Sequence, residues 1–397
     1  MNSTRVLWVR VWGIAALQGA IALCWVIYNL YLPLLLMQMG LSQELAVTLL
    51  IVENILEAII EPLFGWYSDR QLQIRGTKLP IMTTGIALAS LLFILMPCVV
   101  IFLPKIKWLL PVLAVAWACV MAIFHAPAIA LLGRAAPSKN LPQAASILSL
   151  VGGIVGAFRF DAYGLILKLG AGFAFAISSV VLLVAGLILL RLNPPLVSSQ
   201  SDRHLSSSNS LPSRWRLGLL FTTGICVGWG LRFLIPSISQ IATISLGSAN
   251  SNLGMTGFFL LLGVFALPAG IVGTKLGNLV AMMLGCCLIV LLSILTIVIS
   301  QQVFSLLALL LFAWGLSLVL NGAIPLTLNI VPFSSSGLGV GSYFGGFSAG
   351  VGLFEFIFAR LELTNPTVGS LGSIFAFSLL SICLFLSRYL NQTRGLN

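Results

Sequence analysis

The chain has 397 residues, 59% of them hydrophobic and 7% charged, with a mean hydropathy of +1.11 and a formal net charge of +11. Soluble domains carry roughly 25% charged residues, so this composition excludes a water-soluble globular fold and leaves the lipid bilayer as the solvent. The apolar runs are long and show no period-two alternation, which also excludes a membrane β-barrel.

A transmembrane helix needs about 20 mainly apolar residues. The sequence predicts twelve such spans, at 11–37, 43–67, 79–103, 108–132, 142–160, 170–190, 217–243, 252–273, 276–300, 303–331, 338–359 and 367–387. Basic residues favour one side of this arrangement. Of the twenty Lys and Arg, fourteen fall on segments sharing a side with the N-terminus and four (Lys105, Lys107, Lys168 and Arg360) on the other; Arg159 and Arg232 lie in spans. The positive-inside rule then places both termini in the cytosol. The expected location is the plasma (inner) membrane, and the positive charge reports topology rather than a nucleic-acid partner. All seven cysteines fall in spans without ligand-type spacing, so neither a metal site nor a disulfide framework is expected.

The first span is preceded by Arg5 and Arg10, but its apolar run is too long for a signal peptide and reads as a retained helix. It carries Gln18, Trp25, Tyr28, Asn29 and Tyr31. The second span, in "VENILEAIIEPLFGWYSDR", carries Glu53, Glu57 and Glu61. Residues four apart advance about 40° around a helix and about 6 Å along it, so the three line one stripe. An acidic residue in mid-membrane costs about 2.5–3.5 kcal/mol on insertion scales. Three together need a wet cavity, partners, or a shared proton or cation, and titrate as a unit. Such a stripe can gain and lose H⁺ or hold Na⁺; pairing with Arg159 or Arg232, or Glu61 snorkelling to the cytosolic interface, is the structural alternative. Gly65, Asp69, Arg70 and Gly76 read as loop residues at the cytosolic ends of the second and third spans. His125 in the fourth span suits either a proton relay or a structural hydrogen bond. In the fifth, "GGIVGAF" from Gly152 suits helix packing, and Arg159 and Asp161 read as interface residues.

"NPPLVSSQSDRHLSSSNSLPSRWR", at 193–216, is rich in Ser and Pro and reads as a cytosolic linker. It divides the chain into six-span halves at 1–192 and 217–397. In the second half, Arg232 in the seventh span and Glu355 in the eleventh are able to pair, or Arg232 to neutralise an acidic solute. Asn321 in the tenth either reaches a substrate or bridges helices. The halves share faint similarity: "IALLGRAAPS" with "IPLTLNIVPFS", placing Pro137 and Pro332 195 residues apart, and "GWYSDR" from Gly65 with "GIVGTK" from Gly270. Two parallel six-helix halves are the major facilitator arrangement. The expected fold is therefore all-α and integral to the membrane, with 12 transmembrane helices in two pseudo-symmetric six-helix bundles.

"EPLFGWYSDRQLQIRGTKLPIM" resembles a segment of the glycoside-pentoside-hexuronide:cation symporters and the related sucrose transporters, through Glu61, Pro62, Gly65, Ser68, Asp69, Arg70, Arg75, Gly76, Lys78 and Pro80. "WVIYNLYLPLLLMQMG" resembles their first span, and "APAIALLGRAAP" the exit of their fourth. The chain departs from the sucrose transporters at Ile129 and Arg134, where they carry Arg and Asp. Melibiose-type members carry two Asp at positions matching Glu57 and Glu61, which implies a cation-coupling role for these two; Glu53 has no counterpart. The resemblance implies a central cavity faced by the first span, with Gln18, Trp25, Tyr28 and Asn29 as candidate substrate-binding lining; the intramembrane polar residues Asn321, Arg232 and Glu355 are further candidates. Gly65, Asp69, Arg70 and Gly76 are candidate inner-gate residues: Gly permits close helix approach, and Asp69 can pair with a basic residue or a helix N-terminus when the gate closes; a role in fold and topology is the structural alternative.

The expected function is cation-coupled symport of a sugar or glycoside by alternating access, by a monomer whose partners are its solute, a coupling cation and lipid. An uncoupled carrier or exporter of another small molecule, or a non-transporting receptor or assembly factor, are the alternatives. No nucleotide-binding glycine loop or nucleophile–base constellation is present in the sequence, so no enzyme, cofactor or ATP-driven pump is expected.

Overall fold

The structure, a computed structural model, describes residues 5–160, 162–193, 212–299, 301–358 and 366–392. Asp161, Arg360, Ser300 and most of the 193–216 linker lie outside these residues. Among the described residues are twelve long helices: α1 (Trp8–Gln38), α2 (Glu44–Arg75), α3 (Leu79–Phe102), α4 (Leu109–Ala130), α5 (Leu141–Ala157), α6 (Ala171–Leu192), α7 (Arg214–Leu246), α8 (Ser251–Leu276), α9 (Asn278–Val298), α10 (Gln302–Ile330), α11 (Ser336–Phe358) and α12 (Pro366–Gln392). Each predicted span is one of these helices. Among the described residues, ten segments are long and apolar enough to cross a membrane; α2 and α11 are not among them. Glutamates interrupt the apolar run of α2, and glycines and serines dilute that of α11.

The largest boundary difference is at α2, which continues past the predicted end at 67 to Arg75. No Gly or Pro interrupts "WYSDRQLQIR"; Gly76 then takes φ 71° and ends the helix with its N–H on the Leu72 carbonyl. Asp69 and Arg70 therefore sit on a helix, not in a loop. The α7 helix likewise begins at Arg214, inside the segment assigned to the linker.

Among the described residues, two large apolar cores form, one drawing on residues from Val11 to Leu189 with Val340, the other on residues from Leu219 to Leu384, beside a small cluster of Ala269, Ala281 and Leu318. The internal repeat is visible in the backbone. Pro137 (φ −61°, ψ 151°) and Pro332 (φ −59°, ψ 150°) each precede a single 3₁₀ turn that opens onto α5 and α11 respectively. Gly65 of α2 packs on Gly337 at the start of α11, and Gly270 of α8 packs on Pro142 at the start of α5. The halves thus meet along two helix pairs, α2 with α11 and α5 with α8.

Both seams are tight because small residues let the backbones touch. A methyl group on Gly153 would lie 2.6 Å from the Gly263 Cα, and one on Gly337 2.6 Å from the Gly65 carbonyl oxygen. Pro62 contributes to the first seam. It lacks an N–H and so leaves the Ala58 carbonyl without its usual helical donor; Gly345 of α11 approaches at that carbonyl.

The end of the bundle holding the start of α1 and the α2–α3 turn is termed inner, after the predicted topology. There the halves also touch through Leu328 on Gly133 and through Arg134, whose guanidinium lies 5.8 Å from the Phe333 ring centroid.

Candidate functional site

The stripe on α2 is the most polar feature within the spans, and each of its carboxyls has a different partner. The Glu53 carboxyl accepts a hydrogen bond from the Tyr28 hydroxyl of α1. Tyr28 is buried, with its ring 4.7 Å from Trp117 of α4 and 5.6 Å from Trp25; Phe93 stacks on Trp117 at 4.8 Å. Glu53 therefore faces an aromatic wall inside the first half, and its Oε2 is buried without a partner.

Glu57 reaches the other way. Its Oε2 accepts a hydrogen bond of 2.9 Å from Ser348 Oγ on α11, across the seam. Glu61 turns back into the first half, with Oε1 2.7 Å from His125 Nδ1 on α4. The other ring nitrogen of His125 lies 3.3 Å from Gln18 Oε1 on α1. With the Gln18 amide in this orientation, both ring nitrogens face oxygens, and neutral imidazole has one N–H for two acceptors. One further proton, on His125 or on Glu61, completes the chain. The imidazole also meets the edge of Phe344 of α11, with ring centroids 4.5 Å apart. The stripe thus touches α1, α4 and α11, and neither Arg159 nor Arg232 pairs with it.

At the inner end Asp69 is buried and holds three donors: the Lys78 ammonium at 2.5 Å, the Gly337 N–H at 3.0 Å and the Leu338 N–H at 2.8 Å. Two of these are free N–H groups of the first turn of α11, where a carboxylate is favoured by the helix dipole. Both partnerships foreseen for Asp69 are thus made at once. Burial pushes the Lys78 ammonium below the usual lysine range while the Asp69 charge pulls the other way. Arg70 is exposed, with its guanidinium 5.7 Å from the Trp66 ring centroid. At the matching place on α8, Thr274 bonds its own helix at the Gly270 carbonyl, so the latch is one-sided.

The remaining candidates are dispersed. Asn29 donates to the Trp25 carbonyl of its own helix. Asn321 donates to the Pro142 carbonyl across the halves at 3.0 Å, and thus bridges α10 to α5. Arg232 and Glu355 form an ion pair of 3.0 Å within the second half, their side chains 40% and 22% exposed. Ser348 was not singled out from the sequence. Its signal was its place on the face of α11 that carries Gly341, Gly345 and Gly352, all of which pack on α2.

No family profile matches the chain, and no curated protein matches it by sequence. Solved structures do match over nearly its whole length. A bacterial homologue of the iron transporter ferroportin, in an outward-facing state, is 15% identical with a TM-score of 0.72, covering 96% of this chain and 99% of that one. The major facilitator superfamily transporter FucP, in an outward conformation, is 13% identical with a TM-score of 0.68, covering 95% and 98%. The human organic anion transporter MFSD10 (TETRAN) is 14% identical with a TM-score of 0.64, covering 96% and 100%. At these identities the likeness is one of fold: the chain has the all-helical major facilitator fold.

Proposed function

We propose that the protein is a secondary transporter that works by alternating access between its two halves and couples solute movement to protons through Glu57 and the Glu61–His125 pair. The observation that carries this reading is the chain from Glu61 through His125 to Gln18, set beside Glu57 where the halves meet. An imidazole between a carboxyl and an amide is a group that takes up and releases a proton, whereas hard metal cations prefer an all-oxygen shell.

For the solute we propose a sugar or glycoside. The support is the resemblance of the Glu61–Met82 segment to the glycoside-pentoside-hexuronide:cation symporters and sucrose transporters, together with aromatic and amide groups on α1 of the kind that bind sugars. FucP from E. coli is a fucose:proton symporter. A second reading has one specific observation behind it: the partly exposed Arg232 suits an uncoupled carrier or exporter of an anionic solute, and MFSD10 is an organic anion transporter. The proposed setting is the plasma (inner) membrane, and the bias of the basic residues supports cytosolic termini.

The test is accumulation of labelled glycosides in proteoliposomes under an imposed pH gradient, against a sodium gradient and no gradient. Glu57→Gln and Glu61→Gln are expected to abolish accumulation yet spare exchange at equal concentrations, because Gln keeps the shape but cannot carry the proton. Accumulation that both variants retain at the wild-type level rejects the coupling role. Transport of organic anions without any gradient favours the second reading.

A further inference from the structure

Resting on the coupling role proposed above for Glu57, we infer that Ser348 is a positioning residue through which Glu57 controls the contact between the two halves. Glu53 and Glu61 bond to residues of their own half, Tyr28 and His125. Among the described residues, Glu57 is the member of the stripe whose carboxyl bonds to the other half. A hydrogen bond to a charged carboxylate is roughly twice as strong as one to a neutral group. Charge on Glu57 therefore tightens α11 against α2, and its neutralisation loosens that grip.

The surroundings give this bond leverage. Gly341 and Gly345 pack on α2 at Glu61, Ala58 and Pro62, and Gly352 at Asn54. This face holds α11 by close approach of the two backbones. Along it Ser348 supplies the side-chain hydrogen bond to the stripe. One turn inward Phe344 lies against His125, so the same helix also meets the Glu61–His125 pair. Among the described residues, the other ionisable groups whose charges interact with Glu57 are Glu53 and Glu61 on α2, Tyr28 on α1, and Cys119 and His125 on α4. All of them belong to the first half. Among the described residues, Ser348 is therefore the side chain that hydrogen-bonds this charge cluster to the second half. Glu355, seven residues further along α11, is engaged by Arg232.

The experiment measures the separation of the inner ends by electron–electron spin resonance in full-length protein lacking native cysteines, labelled at Ile74→Cys on α2 and Leu276→Cys on α8. Both positions are exposed. Wild type, Ser348→Ala, Ser348→Thr, Glu57→Gln and the Ser348→Ala/Glu57→Gln double variant are compared, with Asp69 intact and with Asp69→Asn, so that the separated population falls in a measurable range. Ser348→Ala and Glu57→Gln are each expected to raise the ratio of separated to closed inner ends about tenfold, on the usual strength of a charge-assisted bond. The double variant should go no further than either single one, and Ser348→Thr should match wild type. A wild-type distribution in Ser348→Ala overturns the inference, as does a double variant in which the two effects multiply. These distances are measured without solute or gradient, so a failure of the transport assay leaves this result to be judged by itself.

Discussion

The inner latch makes the most quantitative prediction. Asp69 and Lys78 are joined at 2.5 Å with side chains 5% and 3% exposed, and Asp69 also accepts the Gly337 and Leu338 N–H groups. Asp69→Asn leaves the Lys78 ammonium buried without its countercharge, a change that costs about 3–5 kcal/mol in comparable buried pairs. That cost falls on the sealed conformer, because separation of α11 from α2 lets water reach Lys78. At about 1.4 kcal/mol per decade, the equilibrium should move a hundredfold or more toward the open inner end. Adding Lys78→Met removes the stranded charge. What then remains is the lost interaction between a carboxylate and the start of α11, about 0.3–1 kcal/mol and at most about 2 kcal/mol. The assay is the rate at which a maleimide labels Leu328→Cys, which lies against Gly133 between the halves. Asp69→Asn should raise the rate at least a hundredfold, and the double variant should return most of the way to wild type. An unchanged rate in Asp69→Asn, or a double variant that labels as fast as the single one, refutes the reasoning.

Gly65→Val places a branched side chain against the Gly337 carbonyl; overpacking of this kind costs about 1–3 kcal/mol and should likewise speed labelling at Leu328→Cys. Tyr28→Phe removes the donor to Glu53 and leaves that carboxyl buried with no bond. A loss of about 1–3 kcal/mol should lower the melting temperature in detergent, and an unchanged melting curve counts against the pairing. His125→Ala should abolish proton-driven accumulation while equal-concentration exchange continues; accumulation at the wild-type level removes His125 from the coupling chain. For the topology, protease applied to the outer face of intact cells should leave the 193–216 linker uncut, and cleavage there reverses the assignment.

How much of this was legible beforehand follows from which properties are local. Ten of the spans could be read from the length of a continuous apolar run, because the bilayer tests every helix separately for an apolar surface, whereas α2 and α11 could be read although glutamates, or glycines and serines, thin theirs. The repeat at Pro137 and Pro332, and the paired Gly65 and Gly270, were readable because a fixed φ or a missing side chain constrains the backbone at its own position. The continuation of α2 to Arg75 was not read, since polar residues beyond an apolar run signal the end of the membrane but not of the helix. The partners of the stripe belong to another class of information. Helical period puts Glu53, Glu57 and Glu61 on one side of α2, but the side chains they meet depend on the rotation and axial register of α1, α4 and α11 against it. Glycine-packed seams set those two quantities across the chain, bringing Glu57 to Ser348 over 291 residues of sequence. The same docking turned Asn321 toward Pro142. The residue types and their spacing along each helix were therefore the sequence's to determine. Which carboxyl reaches the opposite half was decided by tertiary structure, because it depends on how closely two separate backbones approach and at what register.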